Sequence, residues 1–504
     1  MQEIELKFLV PEYKVDALMR QAKIRSSNTT KLAAHYYDTD NNILAQAGMA
    51  LRIRKEGNTW VQTLKSNGDG MASRGEQNNT LDEVKVNEAL ETNSLYPDLS
   101  VYDELGLQEI IQDSSQEQGT NAGKLNCLYV TDVERTTRLI KGTNGVVEMA
   151  YDKGIVVHGE DSQLSKPILE LEFELIEGEV SYLFEVAKTW CKRYNLCLST
   201  VTKAELGGLL VAGKEYTDAT KSNLKQLSFD KDVSQTEFLR AVVHNCMIQI
   251  LPNVSAIAAG SDDGNHVHQL RVGIRRLRTA LKLFAKFSSQ INPEWALILK
   301  QTFGLLGENR DLELLQTKTQ PMLESEGSPY VDWSKEREAI KIKPIDAIRA
   351  PDFQITLLEL IEYIMSPAKK DKPLLKGSAK QETGKILDSL YKKSSKASDQ
   401  FAALDIEAQH DVRKRLKSLR YISEFASPMY KKNQAKAFIN FLEPAQEVLG
   451  NYNDDIVGQA FYRLKTQSDP NAWFAVGYFT AHESHAAEVC AQSLKKVKDA
   501  PKFW

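Results

Sequence analysis

From Glu3 onward, the first strand-like segment of this chain, Met1-Gln-Glu-Ile-Glu-Leu-Lys-Phe, alternates strictly between charged and apolar side chains. With the two-residue period of a β-strand, Glu3, Glu5 and Lys7 share one face and Ile4, Leu6 and Phe8 the other. The alternation returns with Arg52 and Arg54 in Ala50-Leu-Arg-Ile-Arg, and with Thr63 and Lys65 in Val61-Gln-Thr-Leu-Lys. It returns again with Glu170, Glu172 and Glu174 in Ile168-Leu-Glu-Leu-Glu-Phe-Glu-Leu. Two open sheets with solvated outer faces would satisfy such a pattern. The charges, however, are segregated: the first and last of these strands cluster acids, and the middle two cluster bases. That fits a barrel whose charged faces line the lumen while its apolar faces pack outward, the reverse of the usual apolar interior. Clustered carboxylates need a counter-cation, and cations without paired acids need an anion. A metal with a polyanion meets both needs, which is the signature of a phosphate site.

Residues 1 to about 205 read mostly as strands, with short helices at 11–22 and 180–194. The polar stretch 112–123 reads as an exposed loop. A Lys-, Thr-, Ser- and Asp-rich segment then leads into a region of helical period. The boundaries predicted are a first domain at 1–213, a linker at 214–231 and a helical domain at 232–504, with halves at about 232–365 and 380–500.

The helical region repeats itself. His268-Gln-Leu-Arg271-Val-Gly-Ile-Arg275-Arg276-Leu-Arg278 is echoed by His410-Asp-Val-Arg413-Lys414-Arg-Leu-Lys417-Ser-Leu-Arg420. Each is followed by a Leu-Gly pair read as a turn (Leu306-Gly307, Leu449-Gly450) and then an aspartate, Asp311 or Asp454. The Lys- and Ser-rich stretch 366–398 is expected to loop out in part. On the first repeat helix, His268, Arg271, Arg275, Arg278 and Lys282 form one stripe, about 200° from an apolar stripe of Leu270, Ile274, Leu277 and Leu281. The second helix sets His410, Arg413, Lys414, Lys417 and Arg420 against Val412, Leu416 and Leu419. Neither stripe carries an acid, so like charges repel unless an anion is bound. Two such stripes would line one basic groove.

Composition changes this picture little. The chain has 504 residues, 42% of them hydrophobic and 26% charged, as in globular proteins of two or three domains. Its net charge of −4 gives no global attraction to nucleic acid, so any anion site must be local. The five cysteines are scattered, odd in number and form no CxxC pair, so neither a disulfide framework nor a zinc site is suggested. The sequence opens without a signal-peptide pattern, and apolar runs such as 472–481 are too short to span a bilayer. A cytoplasmic setting is expected.

Glu3-x-Glu5-x-Lys7 is the ExExK signature of the CYTH, or triphosphate tunnel metalloenzyme, superfamily. The chain resembles that family further through Tyr36-Tyr37-Asp38-Thr39, Leu51-Arg52-Ile53-Arg54, Thr63-Leu64-Lys65 and Arg74-Gly75-Glu76. Arg135, Glu148 with Asp152-Lys153-Gly154, Glu170-x-Glu172 and Thr202-Lys203 follow in the family's order. The resemblance implies an eight-stranded antiparallel barrel tunnel with flanking helices. It implies that Glu3, Glu5, Glu170 and Glu172 gather Mg²⁺ or Mn²⁺, and that Lys7, Arg52, Arg54, Lys65, Arg74, Arg135 and Lys203 bind a triphosphate. Glu3, Glu5 and Lys7 would act in catalysis, with Glu148 and Asp152 supporting the metal or the attacking water. Arg74 and Glu76 alternatively form a salt bridge at the tunnel mouth. Glu174 either continues the acidic face or ends its strand in solvent. Arg138 has the opposite parity to Arg135, so only Arg135 should face the lumen; Tyr37 and Asp38 are expected in the wall.

The helical half resembles the CHAD domain, an all-α domain of two pseudo-repeated bundles. That resemblance implies binding of long-chain polyphosphate by His268, Arg271, Arg275, Arg278, His410, Arg413, Lys414, Lys417 and Arg420. The CYTH–CHAD order resembles bacterial inorganic triphosphatases, which convert tripolyphosphate to pyrophosphate and phosphate. Class IV adenylyl cyclase or thiamine triphosphatase activity of the same tunnel, or a non-catalytic polyphosphate-binding protein, are the alternatives. No membrane partner is expected, and nucleic acid is disfavoured because no aromatic residues interleave with Arg271, Arg275 and Arg278 to stack bases.

Overall fold

The computed structural model describes the backbone of residues 2–57, 59–66, 71–92, 94–105, 107–111, 124–230, 232–367 and 371–504. The side chains of residues 2, 3, 73, 74 and 103–105 are not among those described, and the expected loop at 112–123 lies outside the described residues. The chain forms two compact units. The first comprises 1–219, 251–262 and 348–362, and the second 220–250, 263–347 and 363–504.

The first unit is built on one antiparallel sheet. Its strands are β1 (Gln2–Leu9), β2 (Asn28–Thr39), β3 (Met49–Glu56), β4 (Thr59–Ser66), β5 (Ser73–Leu81), β6 (Leu125–Gly142), β7 (Gly145–His158), β8 (Ser165–Gly178) and β9 (Cys197–Leu198). Their order is β5-β4-β3-β2-β6-β7-β8-β1-β9. This is nine strands rather than the expected eight, because the two-residue β9 adds to β1 beside Phe8 and Leu9. The sheet is not a uniformly closed barrel: β5 returns to β1 over only three pairs, Gln2 with Gly75, Glu3 with Arg74 and Ile4 with Ser73. That short contact nevertheless brings the acidic and basic ends of the strand order together.

Both faces of the central strands are buried, which rules out solvated outer faces. Leu6, Phe8, Leu51, Ile53, Leu171 and Phe173 are at most 1% exposed on the apolar side. Phe8 meets Phe173 edge-on at 5.9 Å, and Phe173 meets Trp190 at 5.6 Å. Trp190 belongs to α4 (Val180–Tyr194), which lies where the sequence predicts a helix, as does α1 (Val15–Ala22). Each such aromatic buries about 1.5–3 kcal/mol of transfer free energy. The unit also contains two short helices, α2 (Ile43–Gln46) and α3 (Glu83–Glu91), and α5 (Lys203–Val211). Asp38 is a structural group: its carboxylate accepts from the backbone N–H of Thr39, Leu44 and Ala45 at 2.7–2.9 Å and so fixes α2. Tyr37 packs in the wall with Leu51 and Trp60, as expected.

The helical region contains α6 (Gln235–Ala258), α7 (Gly264–Leu283), α8 (Pro293–Leu314), α9 (Ala379–Ala397), α10 (Ile406–Ala426), α11 (Lys432–Lys465) and α12 (Trp473–Val497). The stretch 366–398, expected to loop out in part, is non-helical at 366–367 and 371–378 and helical at 379–397, where Ser378 and Gln381 form a reciprocal capping box and Leu387 and Leu390 supply a buried face. One expectation fails here. The Leu-Gly pairs are not turns but lie inside α8 and α11. Among the described residues α6 is long and apolar enough to cross a membrane, unlike the run at 472–481, but 78% of its most apolar stretch is buried, as in a core helix.

Candidate active site

Strand register assembles the acidic wall. Lys7 on β1 pairs with Glu172 on β8, and Glu170 on β8 pairs with Asp152 on β7, which pairs with Arg135 on β6. Oxygens of Asp152, Glu170 and Glu172 lie within 4.8 Å of one another. Asp152 is fully buried, and the other two are at most 8% exposed. Three cations hold them together. Lys7 Nζ is 3.1 Å from Glu172 Oε1 and 3.5 Å from Glu170 Oε1. Arg135 donates to both oxygens of Asp152, at 2.7 and 2.6 Å, and also to Glu172. Lys203 Nζ lies 2.6 Å from Asp152 and 3.1 Å from Glu172, and it contacts Glu170. Burial would raise the Glu172 carboxyl, but Lys203, Lys7 and Arg135 outweigh it and hold the group well below the ordinary range. Burial would likewise lower Lys203, yet Glu170, Glu172 and Asp152 push it upward.

Asp152, expected only to support the site, is thus one of the three gathered carboxylates. Glu5 lies in the neighbouring row, where it pairs with Glu174, which pairs with Glu148. Burial and the adjacent Glu148 and Glu5 raise the half-buried Glu174, so it continues the acidic face. The side chain of Glu3 lies outside the described residues, as does that of Arg74.

The basic wall comes from β3 and β4. Arg52, 7% exposed, donates to the hydroxyl of Tyr36 at 3.4 Å. Arg54 is paired with Glu56, and Lys65 with Glu76 at 2.9 Å. Glu76 also approaches Arg52 at 4.0 Å, so it sits among the lumen cations. Arg138 points away, donating to the carbonyl of Gln21 and stacking over Trp190, as its parity requires. Tyr36 is the functional candidate that the sequence reading passed over. It pairs directly with Arg52, and although burial would raise its phenol, Arg52, Lys203 and Arg54 lower it. Its parity within β2 was the available signal, but that parity has meaning only once the β2–β3 register is known.

Lys203 is placed by α5. Thr202 caps that helix in a reciprocal box with Glu205, which fixes Lys203 at its first turn. Gly207 lets the helix lie directly on Tyr129: a Cβ there would come within 2.1 Å of the ring. Tyr129 in turn stacks on Tyr36 at 4.9 Å.

The second unit gathers its own cations. On α7, Arg271, Arg275 and Arg278 all lie over the ring of Phe303 on α8, at 4.6, 5.3 and 5.6 Å. Gly307 makes room for Arg271, since a Cβ there would come within 2.9 Å of Nη1. Arg413 and Lys417 of α10 face the same group: burial and then Arg275 lower both, and burial with Arg310, Arg275 and Arg271 lowers His268. Arg271 Nη1, Arg310 Nε and Arg413 Nε are buried without a hydrogen-bond partner among the described residues. The acids absent from the stripes come from neighbouring helices, as Asp311 of α8 and Asp454 of α11. Three expected members have partners of their own. Arg420 is paired with Glu424 and Gln446, exposed Lys414 with Asp411, and His410 Nδ1 with Asn453 at 2.9 Å. Arg310, never singled out from sequence, occupies the place beside His268 that Asn453 occupies beside His410.

Family models agree with both halves: a CYTH domain matches residues 1–207, and a CHAD domain matches 241–463. The chain carries a CYTH domain followed by a CHAD domain. An inorganic triphosphatase of Haemophilus influenzae (strain ATCC 51907 / DSM 11121 / KW20 / Rd) is 30% identical over 244 residues, 47% of this chain. The match spans 63% of that relative's own length. A provisionally named triphosphatase of Bacillus subtilis (strain 168) is 28% identical over 34% of this chain and 76% of its own. The crystal structure of the CHAD domain from the plant Ricinus communis is 26% identical, covers 57% of this chain and 100% of that one, and has a TM-score of 0.47.

Proposed function

We propose that the CYTH unit hydrolyses inorganic tripolyphosphate to pyrophosphate and phosphate with Mg²⁺ or Mn²⁺, and that the CHAD unit binds long-chain polyphosphate. One observation carries the first reading: three buried carboxylates on β7 and β8 face a set of lumen cations on β1, β3, β4, β6 and α5. Asp152, Glu170 and Glu172 offer only hard oxygen donors at close range, which suits Mg²⁺ or Mn²⁺. Glu5 and Glu148, one row away, are further donors on the same wall. A bound divalent ion would polarise phosphoryl oxygens and help supply a hydroxide at neutral pH.

The chain's own residues do the rest. Arg52, Arg54, Lys65, Lys7, Arg135 and Lys203 bind and align the phosphates, with arginine suited to bidentate contact and lysine acting as a point charge. A triphosphate would draw Lys7, Arg135 and Lys203 from the carboxylates they now neutralise, so that substrate binding frees acid oxygens for the metal. The preorganised cations stabilise charge that develops on the phosphoryl oxygens, which is where most of the rate enhancement should arise. The free state of all five cysteines supports a reducing, cytoplasmic setting.

A substrate panel tests this reading. Tripolyphosphate, ATP and thiamine triphosphate are each offered with Mg²⁺ and with Mn²⁺, and phosphate release and cyclisation are measured. Preference for tripolyphosphate is expected; preference for a nucleotide or thiamine substrate, or no turnover of any, would overturn it.

A further inference from the structure

The crowding of cations in the second unit has a consequence that rests on its reading as an anion site. On α7, His268 sits exposed at the edge of the cluster, with Arg271 and Arg275 behind it. On α10, Arg413 and Lys417 face these residues, one turn apart, with Tyr421 a further turn along. From α8 come Arg310 and Asp311, and from α11 comes Asp454. The fourth packed helix, α9, buries Thr383, Leu387, Leu390 and Ser394, none of them ionisable. Four arginines, Lys417 and His268 therefore crowd together with two aspartates. Neither aspartate engages Lys417 in an ion pair among the described contacts, and Asp454 is instead 3.6 Å from Lys318.

We propose that this site takes up protons when it binds polyphosphate, with Lys417 the principal acceptor, so that its anion affinity is governed by pH near neutrality. A fully protonated cluster is disfavoured while no anion is present, because each like charge opposes the next in a partly desolvated space. Among its members the guanidinium groups stay protonated, so the deficit falls on the groups that can release a proton. Burial, then Arg275 and Arg413, lowers the Lys417 ammonium to about 6, with Asp454 giving only partial relief. A polyphosphate chain laid along the cluster reverses that field and restores the proton. The site would hold polyphosphate tightly in mildly acidic conditions and release it as the pH rises, while the arginines maintain a residual affinity.

The test is calorimetric titration of the full chain with long-chain polyphosphate, in excess chelator, in buffers of differing protonation enthalpy at pH 6, 7 and 8. Parent protein should take up about one proton per chain at pH 7, with affinity falling by up to about tenfold per pH unit above it. Lys417→Arg, which stays charged throughout, should still bind but with that uptake lost and the pH slope flattened. Lys417→Met should bind more weakly, also without uptake, and a thermal melt confirms that each variant is folded. Because the tunnel is identical in all three proteins, the difference between them reports the second unit alone. Binding by the parent without proton uptake, or uptake unchanged in Lys417→Arg, would overturn the inference while leaving the anion site standing. No binding by any of the three would overturn the anion-site reading and this inference with it.

Discussion

At the scale of single residues, Arg52 and Arg54 look alike in sequence but differ in the fold. Arg52 is buried against Tyr36, whereas Arg54 already has a partner in Glu56. Replacing Arg52 with Ala leaves substrate charge unpaired in a buried site, a loss of about 2–5 kcal/mol. Arg54→Ala should cost less, because its partner is itself partly exposed. Steady-state kinetics on tripolyphosphate will show the order; normal kcat/KM in both variants would mean that neither arginine contacts substrate. Glu172 makes a separate prediction through acid stability. Its folded carboxyl lies well below its ordinary value of 4.5. Its stabilising contribution is therefore fully present above that pH and is lost as pH falls through the folded value. Parent protein should lose stability below pH 4.5 more steeply than Glu172→Gln, as followed by denaturant titration at stepped pH. Parallel profiles would contradict the charge network around Lys203 and Lys7.

At the scale of elements, α5 carries Lys203 into the acidic wall, and Gly207 sets how closely the helix lies on Tyr129. Gly207→Val should displace α5 and lower kcat by roughly 10²-fold, the scale of a lost electrostatic group, while leaving the sheet folded. A folded variant with parent kcat would show that Lys203 does not depend on that contact. Much at this scale was legible in sequence, for a physical reason: a two-residue period with segregated charge has few solutions once both faces must be covered. Hence the charged faces of β1, β3, β4 and β8 and the opposed parity of Arg135 and Arg138 could be read directly. Register could not, because it depends on pairing between distant strands. That is why Asp152 joins Glu170 and Glu172 while Glu5 falls in the next row. Composition marked 366–398 as looping out only in part, and local chemistry set the limit: the capping box at Ser378 and Gln381 and the spaced leucines make 379–397 a helix. Gly307 reads as a turn, yet it serves as a gap through which Arg271 passes.

At the scale of the molecule, the two proposed anion sites differ in construction. One is a lumen of paired acids and bases, and the other a helical cluster with an excess of bases. Replacing Arg271, Arg275, Arg413 and Lys417 together with Ala should abolish polyphosphate binding, reduce the salt dependence of any residual affinity, and spare tripolyphosphate hydrolysis. Titration of this variant and its parent at two salt concentrations checks it; equal affinities would make the stripes structural only. The central claim is that the buried carboxylates of the CYTH unit work with a divalent cation on a triphosphate. The most direct measurement is the initial rate of phosphate release from tripolyphosphate, by parent and Glu172→Gln, with divalent cation and then in excess chelator. The account predicts release by the parent only with the cation, and a fall of roughly 10²-fold or more in kcat for the variant. Undiminished release in chelator, or parent-like rates from Glu172→Gln, would contradict it.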